Sequence, residues 1–324
     1  MVTQLYFKNT GDSSVIAVRE VNIQPPKPDE VLVRHTAIGV NFFDIKVRSG
    51  QVSPPNPDNL LGMEACGVVE TVGSSVNSLE VGDRVVYATC PTPGAYAEKR
   101  CIDQKYLIKI PETLRDEIVA AGFLKGLTVH MLARRAFIVR PNNIVLVHAA
   151  GGGVGGLLCQ WCKSMGSVVI GTVGDDNKIT AALENGCDLV FNHQKEGWHE
   201  EVLTATRGIG VNVVYDSIGR STYTGSIACL MPMGILVSYG STSGVAEVKT
   251  ADIAAKSLFF TRPTLFDYQS NRMELTLASN DVLEMLKAKL LRPKIHGYYP
   301  LVSAAEAHLA LESRRVMGSL ILKT

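Results

Sequence analysis

The run HAAGGGVGGLLCQW, His148–Trp161, limits this chain more than any other stretch. It joins the apolar segment NIVLVHA (143–149) to a helical one, GGLLCQWCKSM (155–165), and a second apolar segment, SVVIGTV (167–173), follows. That order predicts a βαβ unit with its glycines at the first turn, the setting a dinucleotide fingerprint requires. A β-carbon at such a turn would hold a pyrophosphate away from the backbone. The N-terminus of the following helix offers it unpaired N–H groups and a positive partial charge. Two registers satisfy the spacing: Gly151, Gly153 and Gly156, or Ala150, Gly152 and Gly155.

The end of the second strand bears on which nucleotide binds. An NAD site places an acid there, on the ribose hydroxyls. This strand ends on Val173, Gly174 leaves room after it, and Lys178 stands four residues on, able to pair with a 2′-phosphate. We therefore expect NADP(H). Asp175 and Asp176 are the counterweight. As N-caps of the helix near Lys178 they are structural; turned toward the ribose, they favour NADH.

The rest of the chain frames this unit. The first ~125 residues are rich in β-branched residues and turn signals, with strands expected at 30–40, 65–73 and 83–89. The loop QVSPPNPDN (51–59) holds three prolines and is expected to be irregular. A helix is expected over 114–136, then strands and helices alternate: strands at 188–192, 212–219 and 234–241, a helix at 178–186. Apolar strands separated by helices predict a parallel sheet covered on both faces. Two helices, 277–291 and 303–315, and a strand, 318–323, close the chain.

Composition excludes several classes. The net charge is +1 and no long Lys/Arg run exists, which argues against nucleic acid and anionic membranes. No stretch approaches the ~20 apolar residues of a spanning helix. The N-terminus lacks a basic region followed by an apolar one, so no signal peptide is expected and the cytoplasm is the expected location. The seven scattered cysteines fit a reducing compartment, and the pair Cys159/Cys162 lies inside a helix, where burial is expected. Cysteines and histidines show no metal spacing, so a metal-free site is expected. Without a Lewis acid, hydride transfer suits an electron-poor acceptor, a quinone or a conjugated enone, that needs only orientation and hydrogen-bond donors.

Together with the glycine turn, NFFDIKVRSG (41–50), LGMEACGVVETVG (61–73), GDRVVYA (82–88), FLKGLTV (123–129) and VVYDSIG (213–219) resemble the medium-chain dehydrogenase/reductases. The likeness is to their zinc-free quinone oxidoreductase branch, which includes zeta-crystallin, and it covers essentially the whole chain. It implies an α/β fold: a GroES-like β-rich catalytic domain over 1–125, a Rossmann NADP-binding domain with a doubly wound parallel sheet over 126–262, and a return segment, 263–324, packing on the catalytic domain. It selects the Ala150, Gly152, Gly155 register. Zinc-bearing relatives carry cysteine where this chain has Asn41 and histidine where it has Met63.

The resemblance also implies site residues. Gly152, Gly153 and Val154 would meet the pyrophosphate; Gly174, Lys178 and His193, a position where the family often has tyrosine, would meet the 2′-phosphate. Ser217, Tyr239, Gly240 and Ser241 would line the cofactor. Asn41, Thr128 and Met131 would lie near the nicotinamide ribose, and Arg262 and Arg314 would close over the site. Lys46 stands where the family often places a tyrosine: facing inward, it would favour acceptors that gain negative charge; as a solvated lysine, it leaves preference to cavity shape. The expected activity, through Asn41, Lys46 and Arg262, is NADPH-dependent reduction of a quinone by a homodimer. Two rivals are a zinc-free enone or alkenal double-bond reductase, and a non-catalytic nucleotide- or RNA-binding protein of the zeta-crystallin type.

Overall fold

A computed structural model of the chain describes residues 1–53, 58–313 and 315–324. Residues 54–57 of the proline loop, and Arg314, lie outside the described residues. The chain divides into two compact units. One comprises Met1–Leu124, Gln269–Lys289 and Pro293–Thr324; the other comprises Lys125–Tyr268 and Leu290–Arg292.

The first unit is built on strands. β1 (Val2–Phe7) pairs antiparallel with β2 (Ile16–Val21). β3 (Glu30–Val40) alternates buried and exposed positions, then becomes buried on both faces from Ile38 to Val40. That change marks where neighbours cover it. It pairs antiparallel with β4 (Glu64–Val72) throughout, and its first half also pairs with β6 (Lys99–Asp103). β5 (Arg84–Tyr87) joins β4 to the short β7 (Ile108–Lys109). α1 (Phe42–Arg48) leaves directly from the end of β3. Leu5, Phe7, Val31, Val33, Ile38 and Tyr87 are among the side chains of one buried core.

The helix expected over 114–136 is α2 (Asp116–His130), continued by a π-helical turn, Met131–Ala136. Phe137 N–H reaches back five residues to the Leu132 carbonyl, at 3.1 Å. The Tyr215 hydroxyl approaches the same carbonyl at 3.3 Å. Such widened turns come from tertiary demands that periodicity does not carry.

The second unit is a parallel sheet of six strands in the order β10-β9-β8-β11-β12-β13: β8 (Ile144–Val147), β9 (Val168–Val173), β10 (Leu189–Asn192), β11 (Val211–Asp216), β12 (Leu230–Ser238) and β13 (Phe259–Thr261). The order reverses between β8 and β11. The crevice at the carboxyl ends of strands beside such a reversal is where doubly wound sheets bind ligands. The residues after β8 are the glycine run. α3 (Gly153–Ser164), α4 (Ile179–Glu184), α5 (Trp198–Ala205) and α6 (Tyr223–Cys229) connect the strands.

The chain then returns to the first unit with helices Arg272–Lys287 and Ala304–Glu312, β14 (Ile295–Pro300) and β15 (Ser319–Lys323). β15 pairs parallel with β14 and antiparallel with the end of β3, Leu320 opposite Val40.

Candidate functional site

Ala149 opens the turn after β8 with φ 54, a left-handed conformation uncommon outside glycine, Asn and Asp. Gly152 is the N-cap of α3 and supplies no side-chain cap. A Cβ on Gly152 would lie 3.1 Å from the Ala149 carbonyl oxygen, closer than an ordinary van der Waals contact, so the turn favours a bare backbone there. A Cβ on Gly155 would press into the carbonyl oxygen of Ala149. Gly155 is thus the glycine that lets helix and turn pack closely, whereas a Cβ on Gly156 would meet the Asn185 side chain. These uncapped amides and this cradle fit a pyrophosphate.

The residues expected at the adenosine end lie on the turn after β9 and directly after β10. Lys178 lies against the glycine turn: a Cβ on Gly151 would be 3.1 Å from the Lys178 Cβ. Both acids between them have local partners. The Asp175 carboxylate accepts the Asn177 N–H at 3.0 Å. Asp176 accepts from Asn192 Nδ2 at 2.8 Å and pairs with Lys195 at 3.0 Å. His193 follows β10, with Nε2 beside Gly174, where an added Cβ would lie 3.1 Å away. Its Nδ1 lies 3.0 Å from the Thr172 hydroxyl. Burial and the neighbouring His148 lower its pKa to about 4, leaving a neutral ring at pH 7.

At the ends of β11 and β12, Ser217, Tyr239 and Gly240 come together. Tyr239 N–H donates to the Asp216 carbonyl at 2.8 Å, and a Cβ on Gly240 would sit 2.6 Å from the Ser217 oxygen. The Tyr239 hydroxyl is buried beside Ser217 without a hydrogen-bonded partner among the described residues, and burial raises its pKa. A buried orphan hydroxyl at a sheet's carboxyl edge fits a ligand group that would satisfy it.

A separate polar cluster lies in the first unit. Asn41 caps α1, and its N–H donates to the Asp44 carboxylate at 2.9 Å. Asn41 Nδ2 donates to Glu64 Oε2 at 3.1 Å and, more weakly, to the Gly39 carbonyl at 3.3 Å. The fully buried Glu64 also accepts the Leu124 N–H at 2.6 Å. Tyr96, also buried, lies 2.9 Å from His308 Nε2. Arg48, almost wholly buried, pairs with Glu312 at 2.5 Å. Among the described residues no group of three or more His, Cys, Asp or Glu side chains is arranged to hold a metal ion. The amide of Asn41 and thioether of Met63 are poor zinc donors, so the donor set does not fit that metal.

Two family models match: the alcohol dehydrogenase GroES-like domain over residues 27–112 and the zinc-binding dehydrogenase over 153–284. The chain is 40% identical over 326 residues to quinone oxidoreductase 1 of Escherichia coli, covering 99% of each. The chain belongs to the quinone oxidoreductase family of medium-chain dehydrogenase/reductases. It is 39% identical to a 2-haloacrylate reductase of a Burkholderia species, again over 99% of each. The crystal structure of the E. coli quinone oxidoreductase complexed with NADPH superposes with a TM-score of 0.95 at 39% identity, covering 99% of this chain and 100% of that one.

Within this quinone oxidoreductase fold, the expected nucleotide residues of the second unit lie at the strand ends: Gly152, Gly153 and Val154 on the glycine turn, which Lys178 meets at Gly151; Gly174 with His193; Ser217 with Gly240, between Tyr239 and Ser241. Thr128 is half-buried on the last turn of α2, and Met131 is buried at the start of the π-helical turn. Arg262 is exposed, directly after β13. Lys46 is half-buried on α1. Arg314 lies outside the described residues. Sequence reasoning missed Thr172, Asp216 and Ser226, which join His148 and His193 in one hydrogen-bonded line. No spacing rule links five residues from five segments. The CQWC cysteines are buried in α3, and burial raises both thiol pKa values.

Proposed function

We propose that this protein is an NADPH-dependent quinone reductase. The observation that carries the reading is full-length similarity to a quinone oxidoreductase whose crystal structure holds NADPH. The glycine turn, with Lys178 beside it, supports the cofactor half. When bound, NADPH supplies a hydride to the acceptor. The chain's own residues bind and orient. Gly152, Gly153 and Val154 hold the pyrophosphate with backbone N–H groups. Lys178, Gly174 and His193 take the adenosine 2′-phosphate, which Asp175 and Asp176 do not oppose directly because their carboxylates serve the local turn and Lys195. Ser217, Tyr239, Gly240 and Ser241 line the cofactor on the second unit, with Thr128 and Met131 toward its nicotinamide end, and Arg262 closes over it.

On the first unit the reading assigns Asn41 and Lys46 to the reacting end. Glu64 and the Gly39 carbonyl hold the Asn41 amide in a fixed orientation, so it presents a preset group rather than a mobile one. Lys46 supplies positive charge for an acceptor that gains negative charge on reduction. The donor set around Asn41 makes zinc an unsuitable resident, and the reaction is read as zinc-independent. The functional division is a catalytic part, 1–125, a nucleotide part, 126–262, and the return segment, 263–324. No described helix is long and apolar enough to cross a membrane. The family resemblance further assigns the chain to the cytoplasm as a homodimer, which light scattering on the purified protein tests.

The 2-haloacrylate reductase relative favours a second reading, reduction of an activated carbon–carbon double bond on the same scaffold. Product analysis separates the two. With NADPH and an equal mixture of benzoquinone and a conjugated alkenal, the first reading expects hydroquinone as the main product. Saturated aldehyde in excess would move the function to double-bond reduction.

A further inference from the structure

Five side chains from five segments of the second unit form one hydrogen-bonded line beneath the turn after β9. Asp216, at the end of β11, accepts at Oδ1 from the N–H groups of Ile218 and Gly219, at 2.6 and 2.9 Å. Its Oδ2 accepts from the hydroxyls of Thr222 at 2.8 Å and Ser226 at 3.3 Å. Ser226 Oγ lies 2.9 Å from His148 Nε2, and His148 Nδ1 lies 2.6 Å from Thr172 Oγ1. Thr172 Oγ1 lies 3.0 Å from His193 Nδ1. His148, Thr172 and Ser226 are fully buried and Asp216 nearly so. His193 alone reaches the surface, its Nε2 beside Gly174.

Such a line has a direction. A carboxylate only accepts, and each hydroxyl or neutral imidazole has one proton to give. Asp216 draws the Ser226 proton, since a charged acceptor makes the stronger bond. Ser226 must then accept from His148 Nε2–H. His148 Nδ1, left bare, accepts from Thr172, and Thr172 accepts from His193 Nδ1–H. The last nitrogen, His193 Nε2, is left with its lone pair outward.

We propose that Asp216, acting through Ser226, His148 and Thr172, holds His193 in the tautomer with its proton on Nδ1. Its Nε2 then meets the adenosine ribose of the cofactor as a hydrogen-bond acceptor, and holds a 2′-phosphate only after gaining a proton. This rests on the reading that a nicotinamide dinucleotide binds at the glycine turn. A 2′-hydroxyl can donate to a bare Nε2; a phosphate has only acceptors to offer. His193 therefore distinguishes the two cofactors through a proton, and Asp216, Ser226, His148 and Thr172 are its positioning residues. The charged and titratable groups on the surrounding elements are Asp216 and His148 along the line, Asp175, Asp176 and Lys178 on the turn after β9, and Lys195 after β10. The ring is neutral at pH 7 before nucleotide arrives, since burial and His148 hold its pKa at about 4.

Long-range 1H–15N correlation on the full chain labelled at histidine nitrogens, without nucleotide at pH 7, reads the tautomer directly, with His193→Gln identifying the His193 signals. The wild type is expected to carry the proton on Nδ1. Thr172→Val and Ser226→Ala are expected to shift the His193 nitrogens toward a mixture of tautomers, and Thr172→Ser to restore the original signals. Calorimetry of NADP⁺ binding in buffers of different ionisation enthalpy is expected to show net proton uptake that His193→Gln loses, with NAD⁺ showing none. A proton on Nε2 in a wild type that binds NADP⁺ would overturn this proposal alone, as would signals unmoved by both Thr172→Val and Ser226→Ala. A chain that binds neither nucleotide would overturn the cofactor reading together with its use of His193.

Discussion

Replacing Lys178 with methionine isolates the charge at the adenosine end. The lysine stem packs against the glycine turn at Gly151, and methionine keeps that apolar contact while removing the ammonium. A hydrogen bond to a charged group contributes about 1.5–3 kcal/mol. Lys178 is half-buried, so solvent screening places it at the low end. A loss of about 1.5 kcal/mol weakens NADPH binding roughly tenfold. NADH lacks the 2′-phosphate and should bind the variant as it binds the wild type. Fluorescence titration with both nucleotides measures the effect. The wild-type preference for NADPH should also shrink as salt rises. Equal weakening of NADPH and NADH, or of neither, would refute the assignment of Lys178 to the phosphate.

Three further outcomes follow from the packing. Gly155→Ala forces a Cβ into the Ala149 carbonyl and should cost about 1–3 kcal/mol of stability, measured by denaturant unfolding, and weaken NADPH binding; Gly156→Ala, whose Cβ would first meet the movable Asn185 side chain, should cost less. Burial lowers the pKa of His35 to about 4 and of His308 to about 3, against an unfolded value near 6.5. The unfolded chain thus binds more protons below pH 6.5. Stability should be full above that pH and fall toward pH 4, by up to about 1.4 kcal/mol per pH unit for each ring; an unfolding midpoint flat from pH 6.5 to 4.5 would contradict it. Cys159 and Cys162 are buried with raised thiol pKa values, so iodoacetamide should leave them intact in the native chain and reach the part-exposed Cys101 first, as peptide mapping would reveal.

The parts legible in sequence were those encoded locally. Gly152 and Gly155 announced the turn because a helix packed tightly on a strand end excludes a Cβ. Val147 and Val173 lie in short apolar runs that read as covered parallel strands, and both end the strands they belong to. α6 escaped notice because YTGSIAC has little intrinsic helix preference. It forms where Gly225 lets Trp198 of α5 lie against it, a tertiary demand absent from its own seven residues. The π-helical turn after His130 is set by packing around Leu132 and Tyr215. The line from Asp216 to His193 was illegible for a related reason. His148 directly follows an apolar strand and is completely buried, but both its nitrogens lie within hydrogen-bond distance of hydroxyls 24 and 78 residues away.

The central claim is hydride delivery from NADPH to a quinone. The most direct test is steady-state turnover of the purified protein with benzoquinone, NADPH and NADH supplied in parallel, following the loss of reduced nicotinamide. The account predicts fast oxidation of NADPH, slow oxidation of NADH, and a rate unchanged by a metal chelator. NADPH that binds without being oxidised in the presence of quinone would contradict it.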